Sequence, residues 1–365
     1  MTEPAPGPPA DGGLRVAVDA MGGDHGAVEL VNGAVDYAAQ NPDDGVILVG
    51  DEAVIRSIAG VLPSNVSIVG ASQVIDMDEH PAQALRAKKD ASILVATDLV
   101  RRGEADAVVT AGHTGAGMAA AVLRLGRLPG VDRPALAVQM ITEAGPMVLL
   151  DIGANPDSTA ENLAQYAHMG AIFAERVLGV VKPRVALLSI GEEKGKGDAR
   201  IQAATALLDA SDLRFVGNVE GKDLPRHMAD VVVCDAVLGN VVIKFFEGLS
   251  TFIFDLFRAE FSGSWRGKLG YLLMRPSIGR IRTVFDYEKV GGSPLLGVRG
   301  TVIITHGRAR RRMVNYAVGV AATTARAGVP RLIADALSAR HPAFAETPVT
   351  AATPAATVPV DGVPG

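Results

Sequence analysis

Short apolar runs alternate along the chain with longer segments in which apolar residues recur every three or four positions. The short runs predict strands and the longer segments predict helices. Their alternation is typical of the α/β class, in which helices cover a mainly parallel sheet. The predicted strands are residues 14–18, 46–49, 66–69, 107–109, 136–140, 147–150, 185–190, 231–234 and 302–305, and the predicted helices include 27–39, 92–102, 160–177, 201–208 and 310–325.

The two ends of the chain lack this periodicity. Residues 1–13 and 341–365 are rich in Pro, Gly and Ala, which predicts disordered tails. Residues 14–340 are therefore the predicted folded domain. At 48% apolar residues, the chain has enough apolar surface for a substantial core.

Composition narrows the function further. The net charge of −5 argues against binding to nucleic acid, whose phosphates attract basic surfaces. The single cysteine, Cys234, lies in an apolar run, which predicts a buried structural thiol. The histidines show no metal-ligand spacing, and no nucleotide-binding motif is present, so neither a metal nor a cofactor is expected. Without a signal peptide or an uninterrupted apolar stretch of about 20 residues, the protein is expected to be soluble or to lie on a membrane surface.

A glycine-rich stretch, TAGHTGAGM at residues 110–118, follows one predicted strand and precedes a segment of helix-forming composition. A strand-to-helix turn directs free backbone N–H groups and the positive end of a helix toward one point, which suits an anion. An ordinary glycine-rich connection is the alternative interpretation. The candidate phosphate-binding residues of this turn are Gly112, Thr114 and Gly115, with His113 beside them.

Three further loops of the same kind follow predicted strands, and a fourth follows a short apolar run at residues 213–216. Ligands of parallel sheets bind at such strand ends. The candidates are Gly22, Gly23 and Asp24 in DAMGGDH, Asp151, Gly153 and Asn155 in DIGANPD, Lys194, Gly195, Lys196 and Gly197 in SIGEEKGKGD, and Asn218 and Glu220 in GNVEGKD. Lys194 and Lys196 predict an oxyanion site there, because ammonium groups and backbone donors would converge. A basic stretch at residues 84–90 is fully explained as the solvated surface of a helix.

The segment 245–287 differs from the rest of the chain because it holds ten of the sixteen aromatic residues. Between residues 261 and 285 there are five basic residues and no acidic one. Such a composition is typical of a stretch that binds an anionic membrane surface, and equally of a dimer interface. An acidic carrier protein is a third candidate for this surface. The candidate membrane-surface residues are Trp265, Arg266, Lys268, Leu272, Leu273, Arg275, Arg280 and Arg282.

Taken together, these stretches resemble one family, the bacterial phosphate acyltransferases that make acyl phosphate from acyl-acyl-carrier protein for phospholipid synthesis. The resemblance runs from residue 16 to residue 307. It is carried, in order, by VAVDAMGGDHG, HPAQALRAKKDAS, ADAVVTAGHTGAGM, LLDIGANPDSTAENL, LLSIGEEKGKG, FVGNVEGKDL, DVVVCDAVLGNVVIKFFEG and YEKVGGSPLLGVRG followed by VIITHG. Two positions depart from the family pattern: His113 and Ser189 each replace an Asn.

The resemblance implies a three-layer α/β/α fold similar to that of the isocitrate/isopropylmalate dehydrogenases and the phosphotransacetylases. It also implies a homodimer in the cytoplasm that associates peripherally with the membrane. There, a membrane-bound glycerol-3-phosphate acyltransferase would consume the acyl phosphate. Acyl-carrier protein and inorganic phosphate are the implied substrates.

The chemistry needs donors that hold phosphate against a thioester carbonyl. The loops with Lys194 and Lys196 are the candidate phosphate cradle. Donor chemistry makes His113, Asn155 and Asn218 the candidates for the oxyanion, while Asp24, Asp151 and Glu220 are the candidate orienting carboxylates. Two alternatives are a coenzyme A-dependent phosphotransacetylase and a non-catalytic lipid-surface scaffold. A nicotinamide-dependent dehydrogenase lacks support because its nucleotide and metal patterns are absent.

Overall fold

The computed structural model describes residues 13–284 and 286–338. The predicted tails lie outside these residues, except for Gly13, and remain predictions. The strands are β1 Arg15–Asp19, β2 Gly45–Gly50, β3 Val66–Gly70, β4 Ala107–Thr110, β5 Ala135–Thr142, β6 Gly145–Leu150, β7 Arg184–Leu188, β8 Arg214–Val219, β9 Val231–Val233, β10 Ser293–Leu296 and β11 Thr301–Ile304. They form a single sheet in the order β3-β2-β1-β4-β11-β10-β5-β6-β9-β7-β8.

The sheet consists of two parallel halves that run in opposite directions. Strands β3, β2, β1, β4 and β11 are parallel to one another, as are β6, β9, β7 and β8. Antiparallel pairings through β10 and β5 join the halves. Three pairings fix the level at which the halves end: Ile304 with Ser293, Leu295 with Leu136, and Leu150 with Ala137. The carboxyl ends of β11 and β6 therefore approach nearly the same level of the central strands from opposite sides.

Eleven α-helices are present in the described part of the chain. They are α1 Ala27–Gln40, α2 Glu52–Ala59, α3 Pro81–Ala87, α4 Ser92–Arg101, α5 Thr114–Arg124, α6 Ala160–Val177, α7 Ala199–Asp209, α8 Ala236–Ser262, α9 Trp265–Val284, α10 Arg311–Arg326 and α11 Val329–Ser338. Side chains that alternate along each strand pack on opposite helices. Val16 and Val18 join the core with α1 and α10, whereas Ala17 joins the core with α4 and α5. In the other half, Leu187 packs toward α6 and Leu188 toward α8. This arrangement confirms the predicted α/β class and the three-layer α/β/α architecture.

Two strands were missed by the periodicity of the sequence. β8 continues through Gly217 and Asn218, so the predicted loop at residues 217–223 begins inside a strand. This strand ends the sheet and exposes Arg214 and Val216, which weakens the apolar signal. β10 is short and contains Pro294, a residue that is rare inside strands. The basic stretch 84–90 is also only partly helical, because α3 ends at Ala87.

Helices α8 and α9 form most of the aromatic segment. Helix α8 is long and apolar enough, by length and composition, to cross a membrane, with a mean hydropathy of 1.5 over its most apolar window. The run is not uninterrupted, as the sequence indicated, because Lys244 and Glu247 lie within it, but these two residues leave the mean hydropathy of the window high. The first part of α8 is built into the fold: Ile243 is buried, and Gly239 lies so close to the Asp151 carbonyl that a side chain would not fit. The later part and α9 expose large apolar side chains, including Phe252, Leu272 and Leu273.

Candidate functional site

The turn after β4 is held by a chain of buried hydrogen bonds. The Thr110 hydroxyl donates to the Asp19 carboxylate at 2.8 Å and accepts from the Gly112 N–H at 3.1 Å. Burial raises the pKa of Asp19, although the hydroxyl donors oppose this shift. The turn after β1 packs directly on this loop, since a Cβ on Gly22 would lie 2.8 Å from the Gly112 nitrogen. The backbones of Gly22 and Gly112 are thus in direct contact, which requires glycine at position 22.

His113 is the N-cap of α5. Its Nδ1 accepts a hydrogen bond from the Gly115 N–H at 3.0 Å. An Asn side chain at this position would cap the helix through its carbonyl oxygen, so the departure from the family pattern retains the same local function. Because Nδ1 is the acceptor, the ring proton of the neutral imidazole is on Nε2, which is left as a donor. Thr114, the first residue of the helix, is exposed.

The loop after β6 is organised by the buried Asp151 carboxylate. It accepts hydrogen bonds from the backbone N–H groups of Leu136, Gly153, Ala154 and Asn155, at 2.8–3.2 Å. Burial raises the pKa of this carboxyl, and the backbone donors oppose the rise. Asp151 is fully buried, so it shapes the loop from within rather than presenting an oxygen to a ligand.

The Asn155 side chain is used inside the same loop. Its amide nitrogen donates to the Pro134 carbonyl at 2.6 Å and to the Asp151 carboxylate at 3.0 Å. Both amide N–H bonds are engaged, so the donor predicted for an oxyanion is committed to holding the loop.

Nearby, the Cys234 thiol is fully buried, and burial raises its pKa well above the ordinary value. This observation confirms the predicted structural thiol.

A cavity of about 560 Å³ lies where the carboxyl ends of the two half-sheets meet. Thr114 of the β4–α5 turn and Gly153 of the β6–α6 loop line it, so the structure brings these two predicted residues together. The wall is largely apolar, with Val138 and Met140 from β5 and Val241 from α8 among its side chains. A cavity of this size and polarity is typical of a small-molecule site.

Three polar residues of the cavity wall were not identified from the sequence. His306 Nε2 and the Glu247 carboxylate are 2.8 Å apart, and the Lys244 ammonium lies 3.0 Å from the other oxygen of that carboxylate. Burial alone would raise the pKa of Glu247, but the hydrogen bond from His306 and the charge of Lys244 lower it to about 2. These residues lie within the motifs VIKFFEG and VIITHG, which carry part of the family resemblance.

The loop after β7 lies outside the lining of this cavity in the described part of the chain. Lys194 points toward α7, where its ammonium lies 3.3 Å from the Asp209 carboxylate. Lys196 is exposed. Arg200, which follows the loop, donates to the Asp235 carboxylate at 2.8 Å and to the Ser158 carbonyl at 3.3 Å. These bonds tie the β7 loop to the β6 loop and to the start of α8.

Two buried polar atoms lie beneath the β7 loop. Asn218 is 8% exposed, and its side-chain oxygen has no hydrogen-bond partner among the described residues. The Ser189 hydroxyl is in the same situation, and it lies 2.9 Å from where a Cβ on Gly197 would be. Gly197 has a φ of +93°, a conformation that favours glycine. Of the two atoms, the Ser189 hydroxyl can donate a hydrogen bond and the Asn218 oxygen can only accept one.

Glu220 belongs to a separate acidic cluster. Glu192, Glu220 and Asp223 place ligand oxygens within 4.8 Å of one another. Lys222 pairs with Glu220 at 2.7 Å and with Glu192 at 3.3 Å, so the cluster carries its own counter-charge. Asp24 is exposed at the opposite half, where its backbone N–H donates to the Gly307 carbonyl at 2.7 Å. The predicted orienting carboxylates therefore do not surround one point.

The structure is thus an α/β protein with a cavity between two half-sheets. A family model described as "Fatty acid synthesis protein" matches residues 14–332. The phosphate acyltransferase of Desulfitobacterium hafniense (strain Y51) is 49% identical over 311 residues, which cover 84% of this chain and 92% of the relative. That of Heliobacterium modesticaldum is 47% identical over 312 residues, covering 84% and 93%.

A solved structure, a phosphotransacetylase from Streptococcus pyogenes, matches with a TM-score of 0.58 at 16% identity, covering 86% of this chain and 94% of that chain. This likeness concerns the fold alone. The sequence identities above establish more: the chain belongs to the phosphate acyltransferase family. The enzyme class is acyl transfer, with phosphate as a substrate, and the family resemblance found in the sequence is confirmed.

Proposed function

We propose that the acyl donor is a long-chain acyl-acyl-carrier protein and that the product is an acyl phosphate for glycerolipid synthesis. The observation that supports a fatty donor is the largely apolar cavity where the half-sheets meet. An apolar wall binds a hydrocarbon chain by removing its surface from water. Thr114, Lys244, Glu247 and His306 are among the polar residues of the wall, beside which the thioester would react.

In this reaction, a phosphate oxygen attacks the thioester carbonyl carbon and the carbon–sulfur bond breaks. The phosphate is anionic already, so the protein must chiefly hold it and offset its charge. We assign phosphate binding to Lys196 with Gly195 and Gly197, supported by the exposed Lys196 ammonium and by the unpaired Ser189 hydroxyl, a potential donor, beside Gly197. Lys194, turned toward Asp209, is given no direct part.

The oxyanion needs a donor with a free N–H or amide group. His113 Nε2 and the Asn218 amide remain the candidates, because the Asn155 amide is committed within its loop. Gly22, Gly23 and Gly112 support the site through backbone packing. Asp151 acts as the organiser of the β6 loop.

The exposed part of α8 and α9 is proposed as the surface that contacts the membrane. Apolar residues such as Trp265, Leu272 and Leu273 would enter the lipid, and the basic residues Arg266, Lys268, Arg275 and Arg280 would meet anionic headgroups. The side chain of Arg282 lies outside the described residues. A homodimer interface on this part of α8 and α9, the α8–α9 hairpin, is the competing proposal. The enzyme-like α/β fold fits a cytoplasmic location, with a membrane glycerol-3-phosphate acyltransferase as acceptor of the product.

The deciding experiment measures thiol release from palmitoyl-carrier protein, with and without inorganic phosphate. We expect release that depends on phosphate, together with the formation of palmitoyl phosphate. Equal or greater activity on acetyl-coenzyme A would instead favour a phosphotransacetylase. Vesicle binding with no thiol release from either donor would favour a lipid-surface scaffold.

A further inference from the structure

The polar cluster in the cavity wall has the geometry of a proton-transfer site. His306 lies two residues after the end of β11, and Glu247 lies three residues after Lys244 on α8. The cluster therefore joins one half-sheet to the helix that packs on the other. It includes an imidazole, the side chain whose ordinary pKa suits proton transfer near neutral pH.

Hydrogen bonds hold the backbone on both sides of His306. The neighbouring Thr305 hydroxyl donates to the Gly291 carbonyl at 2.5 Å, and the Thr305 N–H donates to the Thr110 carbonyl at 2.9 Å. On the other side, the Ala309 N–H donates to the His306 carbonyl at 2.8 Å. A proton carrier has to be held within hydrogen-bond reach of its substrate, and these bonds supply that support.

We propose that His306 carries the proton of the reaction and that Glu247 is its positioning residue; this inference rests on the proposed acyl transfer from a thioester to phosphate. Hydrogen phosphate brings one proton, which the acyl phosphate dianion no longer holds. The β7 loop, to which phosphate is assigned, is tied to the cavity wall through the Arg200–Asp235 pair beside Ala236. Phosphate that enters the cavity from that loop gives its proton to His306 as its oxygen attacks the carbonyl carbon. His306 then donates the proton to the sulfur as the carbon–sulfur bond breaks, which gives the free thiol and restores the neutral imidazole.

The pairing with Glu247 determines which ring nitrogen performs this transfer. A carboxylate at 2.8 Å from Nε2 accepts its N–H, which leaves Nδ1 as the basic nitrogen of the neutral ring. When Nδ1 takes the proton, the carboxylate stabilises the resulting imidazolium. The ionised state of Glu247 is itself supported by Lys244, whose ammonium lies 3.0 Å from the second oxygen.

The charged groups that face the cluster all have to be counted for any pH dependence. The charged or titratable residues lining the cavity, in the described part of the chain, are Lys244, Glu247, Asp286 and His306. Asp286 is paired with Arg312 at 2.5 Å. Behind the ring, the Asp24 backbone contacts Gly307, and its carboxylate lies about 3 Å from where a Cβ on Gly307 would be. Of these groups, Glu247 alone hydrogen-bonds the His306 ring.

The test compares His306→Asn with His227→Asn in the full-length enzyme. His227 offers a matched control because its Nε2 also lies 2.8 Å from a carboxylate, that of Asp230, and it lies outside the lining of the cavity. We expect His306→Asn to lower kcat for palmitoyl-carrier protein by about 100-fold or more, the usual effect of losing a general acid–base group. The KM for phosphate should change little. His227→Asn should lower thermal stability but leave kcat nearly unchanged.

A second measurement separates proton transfer from a structural role. Glu247→Gln removes the charge that stabilises the imidazolium, so the acid limb of the pH–rate profile should move to lower pH. The titration of phosphate itself is common to all variants and cancels in this comparison. An acyl thioester of an acidic aromatic thiol needs no proton on its sulfur, so the defect of His306→Asn should shrink with that donor.

The outcomes are distinct. Should His306→Asn retain its kcat, or should Glu247→Gln leave the acid limb in place in a folded enzyme, the proton-carrier role is overturned. A defect in His306→Asn that is equally large with both leaving groups also contradicts donation to sulfur. Failure of the wild-type enzyme to release thiol in a phosphate-dependent manner would instead remove the proposed function.

Discussion

At the scale of single residues, the polar groups at the strand ends differ in whether they are buried within a loop, as Asp151 is, or exposed, as Asp24 is. Asp151 and Asn155 follow a strand as predicted, but their polar atoms hold their own loop together. His113 caps a helix through one nitrogen. A sequence shows which donors and acceptors are available at a strand end. It does not show which of them the backbone consumes, because that depends on the path of the loop.

Lys194 and Lys196 lie in similar positions between glycines in the sequence. In the structure, Lys194 faces the Asp209 carboxylate, whereas Lys196 is exposed. Replacing Lys196 by Ala should raise the KM for phosphate by about tenfold, since loss of one charged contact of about 1.4 kcal/mol corresponds to that factor. Lys194→Ala is the matched control, because its ammonium faces Asp209. Phosphate titrations of the initial rate test this prediction. An equal effect in both variants would place the anion elsewhere.

Three polar residues of the cavity wall were not predicted from the sequence. Lys244 and Glu247 lie in an apolar helix. His306 follows a short strand, far from them in the chain. Only the pairing of β11 with β4, and the packing of α8 across the cavity, bring them together. Motifs with a fixed local spacing are accessible to sequence reasoning, whereas a cluster formed by two distant elements is not.

At the scale of elements, the strands in the interior of the sheet were predictable because both faces are buried and their residues are apolar. The end strand β8 and the short strand β10 were not, since exposure and Pro294 remove that signal.

The start of β7 is held by an ion pair. Arg184, at the start of β7, donates to the Asp230 carboxylate from its backbone and its guanidinium, at 2.7–3.0 Å.

This pairing predicts a pH-dependent contribution to stability. Burial alone would raise the pKa of Asp230, but the hydrogen bonds from Arg184 and His227 lower it to about 2. A lowered folded-state pKa stabilises the protein above the unfolded-state value, and the stabilisation is lost as the pH falls from about 4 to about 2. Asp230→Asn should therefore lower the free energy of unfolding at pH 7 by about 2 kcal/mol.

Urea unfolding followed by circular dichroism at several pH values measures this difference. The gap between wild type and variant should narrow toward pH 2. Asp209→Asn is the control, because its partner Lys194 is exposed and such pairs contribute little. A gap that is independent of pH would show that the ionised carboxylate is not the source of the stability.

At the scale of the whole molecule, the fold separates two surfaces. The start of α8 lines the cavity, while the end of α8 and the helix α9 expose apolar side chains. The sequence located this segment by its aromatic and basic composition. It did not reveal that one helix belongs to both surfaces, because helix boundaries are not set by composition.

Replacing Leu272 and Leu273 together by Asp should lower the fraction of protein that sediments with anionic vesicles, because charged side chains oppose entry into lipid. Turnover of a soluble donor should be retained. Val181→Asp is the control, since Val181 is a similarly exposed apolar residue in the turn between α6 and β7. Size-exclusion chromatography of the same variants separates the alternatives. Loss of a dimer with vesicle binding intact would assign the α8–α9 hairpin to subunit contact.

Because the two half-sheets run in opposite directions, β5 and β10 set the distance between their facing ends. Because each half ends against these two strands, their hydrogen-bond register determines the gap between the facing loops. A slip of one residue would shift one lobe by about 3.4 Å along the strand and turn the side chains of β5 to the other face. The width of the cavity therefore depends on the hydrogen-bond register of β5 and β10.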